Sequence, residues 1–337
     1  MKTKLKQGLQ VAFFLALGLG FIWWFIAKLS DEELNELFNC VKNVNLFWLI
    51  LAFVISILSC YVRALRWKQL LKPITNEKLC IKNLFFAIMT GYLTNLAVPR
   101  LGEIVRCAML KKADNIAIEK SIGTVITERF VDLLLFIIIF FIALTLEFGV
   151  MWNYIKTNVE TSLLEKIQFI LIAGVIIVIF ITIVFIIFRK RNILTLKITN
   201  NNVFLKIKSI ILGLWQGIKS VIHLDKPLLF AIYSCLIWFL WIVGTWAIFQ
   251  CFPDTSSLSL KVALIITLLS AFGPMITPGG IGLYPMIFAK SLYIYAVKIP
   301  VGYAAGWLSW LVSQLGMMIF GLIGFVYFSN KNAKRIK

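Results

Sequence analysis

Apolar runs long enough to cross a bilayer, together with two more that proline and glycine cut short, constrain this chain more than any other feature. Leu9 to Ala27, Leu46 to Val62, Ser121 to Phe148, Ile167 to Phe188, Leu228 to Gln250 and Val301 to Phe328 approach or exceed the roughly 20 residues that a helical span needs. With 61% hydrophobic residues and a mean hydropathy of +0.92, no soluble domain fits. In lipid, only helices and closed barrels satisfy their own backbone polar groups, and runs of this length select helices. The expected fold is therefore an all-α polytopic membrane protein with about six full spans and two re-entrant helical hairpins.

The first hairpin is read from an apolar arm, Leu84 to Val98, that Pro99 interrupts and that Arg100, Glu103 and Arg106 follow. Proline removes a backbone donor and clashes with the preceding turn, and Gly102 permits a tight reversal. Leu96 to Gly102, with Asn95 at its edge, is the predicted non-helical tip, and such a tip survives in lipid only if protein or trapped water surrounds it. A plain cytoplasmic loop is the simpler alternative, but the arm is too short to span. The second break follows Val262 to Ile276 and reads Thr277-Pro-Gly-Gly-Ile-Gly-Leu-Tyr-Pro285. Gly279, Gly280 and Gly282 allow backbone to approach a ligand and to aim amides at it.

Charge sets the orientation. The chain carries 34 basic and 15 acidic residues, a formal net charge of +19, which in a soluble protein would point to nucleic acid. Here the basic residues lie between apolar runs, where positive-inside loops meeting anionic headgroups account for them and no nucleic-acid partner is expected. Lys2, Lys4 and Lys6 precede the first run, which is long for a signal peptide and lacks a small-residue cleavage pattern. Arg63, Arg66, Lys68 and Lys72, then Arg189-Lys190-Arg191, then Lys331, Lys334, Arg335 and Lys337 mark the inner side, whereas Asp31, Glu32, Glu33 and Glu36 fall outside. Both termini are expected in the cytoplasm. Val203 to His223 has helical spacing with Lys206, Lys208 and Lys219 interleaved and reads as an amphipathic helix on the inner surface. Residues 1–337 form one integral membrane domain in this reading, with halves 1–150 and 165–330 of opposite topology. Inverted halves that each carry a broken helix are a transporter pattern, with the substrate near the breaks.

Charged residues inside spans usually face the bundle interior. Glu128 and Asp132 are four apart and share a helix face, and Arg129 points about 100° away. Arg100, Arg106 and Arg129 against Glu103, Glu128 and Asp132 make a set that can neutralise itself, which leaves Arg63 and Arg66 as surplus cations for an anion. Guanidinium grips phosphate through two donors. The plainer readings are a buried network that pins the hairpin and snorkelling anchors beside Trp67. Six cysteines without paired spacing and one histidine, His223, argue against metal, redox or triad chemistry, so neither metal nor cofactor is expected. The glycine turn also lacks the lysine and hydroxyl residue of a phosphate loop.

Arg66-Trp67, Asn95, Pro99, Gly102-Glu103, Arg106, Glu128-Arg129, Asp132 and Pro278-Gly279-Gly280-Ile-Gly282 together resemble the transmembrane region of lysylphosphatidylglycerol synthases and its stand-alone flippase-like relatives. The resemblance covers nearly the whole chain. It implies a plasma-membrane protein that moves a phospholipid or lipid-linked headgroup between leaflets. Two departures stand out: Pro285 sits where the family often has a glutamate after the glycine turn, and no aminoacyl-transfer domain is expected in this chain. The expected function is a lipid flippase-like transporter rather than an enzyme, acting on membrane lipids that are anionic or carry a lipid-linked phosphate. The expected substrate-binding set is Arg63, Arg66, Asn95, Arg100, Glu103, Arg106, Glu128, Arg129, Asp132, Gly279, Gly280 and Gly282. An intramembrane enzyme acting on a lipid-linked phosphate, with Glu128 and Asp132 as acid and base, is the alternative. An ion channel is disfavoured because compensated charges leave no single-sign ring. A separate synthase or transferase is compatible as partner, and the sequence does not state an oligomeric form.

Overall fold

The computed structural model describes residues 29–149 except Lys78 and Pro99, residues 224–336, and Trp23 and Ala27 nearby. The predicted spans Leu9 to Ala27 and Ile167 to Phe188, the amphipathic Val203 to His223 and the outer loop near Asn153 to Glu165 lie outside the described residues, as does Pro99 itself. The chain divides into one unit of Met1–Ala143 with Ile211–Lys337 and a second of Leu144–Ile210. All that follows concerns the first.

The described residues are helical, without strands. In chain order they form α1 (Asp31–Lys42), α2 (Leu46–Leu71), α3 (Ile81–Ala97), α4 (Leu101–Asp114), α5 (Ile118–Leu146), α6 (Pro227–Phe249), α7 (Leu260–Ser270), α8 (Leu283–Tyr293) and α9 (Ile299–Ile336). Among them, α2 continued to Ile74, α5, α6 and α9 to Asn330 are the four that are long and apolar enough to cross a membrane. The shortest has 23 residues, which at 1.5 Å per residue matches a hydrocarbon layer of about 30 Å. Their outer faces are what a lipid solvent demands. Ile50, Val54, Leu58 and Tyr61 form an exposed apolar stripe on α2 at helical spacing, and Leu311, Leu315, Met318, Leu322 and Val326 do so on α9.

α2 is the spine of the fold. Its N-terminal two-thirds, through Ala52, Ile55 and Val62, packs in a core with α6, α7, α8 and α9. Its C-terminal third, through Ala64, Trp67, Leu70 and Leu71, packs in another with α3, α4 and α5. The elements join through local signals. Ser30 and Glu33 make a reciprocal capping box at the start of α1, and Asn45 accepts from Phe47 N–H to open α2. Pro227 at the first position opens α6.

The first break is tighter than Leu96 to Gly102. α3 continues to Ala97 and α4 starts at Leu101, and the reversal is made by Arg100, in the left-handed region with φ 65°, not by Gly102. Gly102 lies inside α4, where its role is close approach. A Cβ there would lie 2.0 Å from the Gly91 carbonyl oxygen, so the arms of the hairpin touch backbone to backbone. Asn95 Oδ1 then accepts from Gly102 N–H at 2.7 Å and satisfies one of the free donors at the start of α4. The second break is longer. After α7 the chain makes a short helical turn, Gly273–Ile276, and a 3₁₀ turn, Pro278–Gly280, before α8. Gly279, Gly280 and Gly282 all take positive φ (58°, 80° and 73°), conformations that side chains rarely adopt.

Close backbone packing at Gly102 predicts that Gly102→Ala lowers the melting temperature of the purified protein, with an overpacking cost of about 1–3 kcal/mol. Gly244→Ala should leave it nearly unchanged, because a Cβ at Gly244 would meet only Ile55 Cγ2, at an ordinary 3.5 Å.

Candidate functional site

The polar heart of the protein is built where three helices face one another. Arg63 and Arg66, one turn apart on α2, point towards Glu128 and Asp132, one turn apart on α5, and Arg106 of α4 closes the third side. Arg66 is the most deeply seated cation: its Nη1 lies 2.6 Å from Asp132 Oδ1 and its Nη2 3.1 Å from Glu128 Oε1. Arg63 spans the same two carboxylates at 3.4 Å each. Arg106 Nη2 reaches Glu128 Oε2 at 3.2 Å. Glu128 and Arg66 are fully buried, and Arg63 and Arg106 nearly so. Aromatic walls hold the set: the Arg106 guanidinium lies 4.7 Å over Trp67, whose indole N–H donates to Thr124 Oγ1 at 2.9 Å. Arg63 lies 5.4 Å over Trp241.

This pairing differs from the sequence reading in which Arg63 and Arg66 were surplus. They are the principal partners of the two carboxylates, because they and the Glu128/Asp132 face meet across the α2–α5 contact, while Arg129 points aside as its 100° offset requires. Arg129 is half-exposed and only loosely paired, 3.9 Å from Glu103 and 3.8 Å from Asp132. Arg100 does not join the cluster. It sits exposed on the hairpin tip. Among the described residues of the cluster, four guanidiniums (Arg63, Arg66, Arg106, Arg129) therefore face three carboxylates (Glu103, Glu128, Asp132), one positive charge in excess.

Beside this cluster lies a cavity of about 340 Å³, within the size range of small-molecule sites. It is lined by the middle of α2, α6 and α9 and by Tyr92 of α3, with Ala271, Pro274 and Tyr284 contributed from around the second break. Arg63 and Arg129 bring the cluster's charge to its wall. The remaining polar lining is neutral: Tyr284 and Ser309 share a 2.9 Å hydrogen bond, Thr267 donates to Thr245 at 2.8 Å, and Gln314 is buried with its Oε1 unpartnered. Those neutral residues and the aromatics Tyr92, Trp241 and Trp310 were not singled out as site residues in the sequence. The signal that could have found them is a run of small hydroxyls on α2 and α9, Ser56, Ser59, Ser309 and Ser313, at helical spacing inside apolar spans.

The two breaks meet. Leu96, at the end of α3, packs so tightly on Gly279 that a Cβ there would lie 2.4 Å from its Cδ2. The Gly279 carbonyl is fixed from α9 by the Trp310 indole N–H at 2.6 Å and more weakly by Gln314 Nε2 at 3.4 Å. Of the expected set, Arg63, Arg66, Arg106, Glu128 and Asp132 come together directly, with Glu103 and Arg129 at their edge. Asn95 serves the hairpin, and Gly279 the contact between breaks. Gly280 packs against Pro274 and Tyr284, and Gly282 begins α8. Among the described residues no group of three or more His, Cys, Asp or Glu side chains could hold a metal ion.

An all-α, multi-pass membrane protein with a buried ion-pair cluster beside a largely apolar cavity that has two arginines in its wall is the class these features define. The chain belongs to the family described as the lysylphosphatidylglycerol synthase TM region, whose model matches residues 10–321. It is similar to the UPF0104 membrane protein MJ1078 of Methanocaldococcus jannaschii, 27% identical over 240 residues that make up 69% of this chain and 93% of that protein. It is also similar to the UPF0104 membrane protein MJ1595 of the same organism, 29% identical over 115 residues, 33% of this chain and 34% of that protein. No solved structure matches the chain significantly.

Removing one partner from a buried ion pair strands the other. Glu128→Ala should cost about 3–5 kcal/mol of stability, whereas Arg129→Ala, at a half-exposed and loosely paired position, should cost about 0–1 kcal/mol. Melting temperatures of the purified variants in one detergent check the contrast, and equal losses would contradict it.

Proposed function

We propose that this protein is a lipid flippase-like transporter that moves a phospholipid or lipid-linked headgroup between membrane leaflets. The observation that carries the reading is the cavity of about 340 Å³, held by the middle of spanning helices, cationic at one wall and adjoined by the second helix break, with Tyr92 of the first hairpin's α3 arm beside it. A headgroup can be desolvated there against polar side chains while its acyl chains remain in lipid. We take α3–α4 and α7–α8 as hairpins entering from opposite sides of a plasma membrane, the termini being cytoplasmic, with one half rocking against the other to give alternating access. Membership in a lipid-synthase transmembrane family supports a lipid substrate. The enzyme alternative draws less support. Its acid and base would be Glu128 and Asp132, and both are ion-paired and absent from the cavity wall. A separate synthase or transferase that supplies the lipid fits the same reading.

The test is a leaflet assay in proteoliposomes with fluorescent analogues of phosphatidylglycerol and of a polyprenyl phosphate. Unaltered analogue should appear in the opposite leaflet, and Gly244→Leu, which places a side chain at the cavity wall, should slow transfer by on the order of tenfold while the protein remains folded. Chemically altered lipid confined to one leaflet would favour the enzyme. For the topology, Arg100→Cys and Met275→Cys, both at exposed positions, should react with impermeant thiol reagents applied from opposite faces. Labelling from the same face would end the inverted arrangement.

A further inference from the structure

The way into the cavity can be read from which of its residues are uncovered. Among those that line it, only Arg129 of α5 and Pro274 of the second break are exposed. These two elements touch nearby: the Phe136 ring of α5 packs edge-on against Phe272 with 5.8 Å between centroids, and tilts against Trp238 of α6 at 6.0 Å. Ile126, Arg129, Leu133 and Phe136 follow one another at spacings of three, four and three, so they form one stripe along α5. Phe136 meets the second break, whereas Ile126 and Leu133 on the same stripe are each 46% exposed. Across from them Phe272, Met275 and Ile276, beside Pro274, are exposed too. The seam between α5 and the second break is therefore closed by aromatic contact at Phe136 and open beside Arg129. A stripe that merely faced lipid would carry no arginine on a cavity wall.

We infer that a lipid's hydrocarbon chain lies across this seam, against Ile126 and Leu133 on one side and Phe272, Met275 and Ile276 on the other, and that Phe136 is the lintel that limits how far the seam opens. The inference deepens the transport reading, and it rests on that reading in placing the lipid's polar end in the cavity. At about 340 Å³ the cavity is near the lower end of the range for drug-sized ligands. The two chains of a phospholipid exceed it and must lie outside. The lip of the seam is apolar, and its one charge, Arg129, lies on the cavity wall. A hydrocarbon chain covers such a lip without stranding a polar group, which a hydrated ligand entering by the same route would not do. Widening the seam also separates few buried contacts: 6% of the most apolar stretch of α5 is buried, against 28–33% in the other three spans. Glu128 and Thr124, which fix α5 to its neighbours, lie to the other side of Arg129 from Phe136.

The test is the route by which a thiol in the cavity is reached. Ser313 lines the cavity and its hydroxyl donates to the Trp310 carbonyl of its own helix, so Ser313→Cys is a mild change. The full chain carrying it is reconstituted in phosphatidylcholine vesicles, and the labelled peptide is identified by mass spectrometry. A long-chain alkyl maleimide dissolved in the bilayer should label this position. Leu133→Trp, which fills the seam, should slow that labelling by about tenfold. Ile138→Trp, at a position that is also apolar and exposed but off the stripe, should leave it unchanged. Phe136→Ala, which removes the lintel, should speed labelling several-fold and keeps the test decisive if the added tryptophan disturbs folding. Labelling indifferent to both Leu133→Trp and Phe136→Ala, or slowed equally by Ile138→Trp, would overturn the inference. Reaction with a water-soluble, impermeant maleimide alone would overturn it as well. Labelling involves no leaflet step, so the expected pattern without lipid transfer in the same vesicles would remove the transport reading and leave the seam standing. Lipid transfer that persists while labelling ignores the seam would do the reverse.

Discussion

The Glu128 carboxylate, fully buried and within ion-pair distance of three guanidiniums from two other helices, is the interaction on which the rest of the structure depends. A lone carboxylate in such a place is costly, and so is each arginine. Together they are tolerable only if α2, α4 and α5 hold their present positions, since a slide of one helix by a turn would leave at least one charge on each without a partner. The cluster therefore acts as a registration device, and its benefit lies less in net stability than in the cost it imposes on other arrangements. The aromatic walls have the same effect, because Trp67 and Trp241 leave the guanidinium planes few other places to lie.

Register at the cluster carries over to the cavity. Arg63 belongs to both, pairing with the carboxylates through its two terminal nitrogens while lining the cavity beside Tyr92 and Trp241. What fixes the helices also fixes the charge at the cavity wall, because the carboxylates that pair with Arg63 hold its guanidinium in place. α2 can serve both functions because its two parts lie in separate hydrophobic cores with the arginines near the junction.

Much of this was legible in the sequence, and the reasons are physical. Span length and composition reveal a membrane protein because lipid leaves few alternatives. The Glu128/Asp132 pair announced a shared face because the helical period fixes it. Both breaks were visible through glycine and proline, although the first is shorter than Leu96 to Gly102, since an arginine at positive φ makes the turn and the glycine serves contact instead. Pairing across helices was not legible. Deciding between Arg63 and Arg100 as the partner of a carboxylate requires knowing which helices touch, and charge counting along a chain carries no such information. The neutral lining was hidden for a related reason: serine, threonine and glutamine inside apolar helices bond readily to their own backbone or to neighbours, and only the packed structure separates those facing a cavity.

The contact between Leu96 and Gly279 has a mechanical meaning. A leucine side chain occupies the space that a missing Cβ leaves, and the glycine's carbonyl is held by an indole from a third helix. The arrangement resembles a ball seated in a socket. Such a joint permits swivel but resists sliding, because packed apolar surfaces tolerate small rotations better than they tolerate an opened void. The two broken helices, distant in sequence, are thereby joined at their tips, and Trp310 ties that joint to the long helix α9.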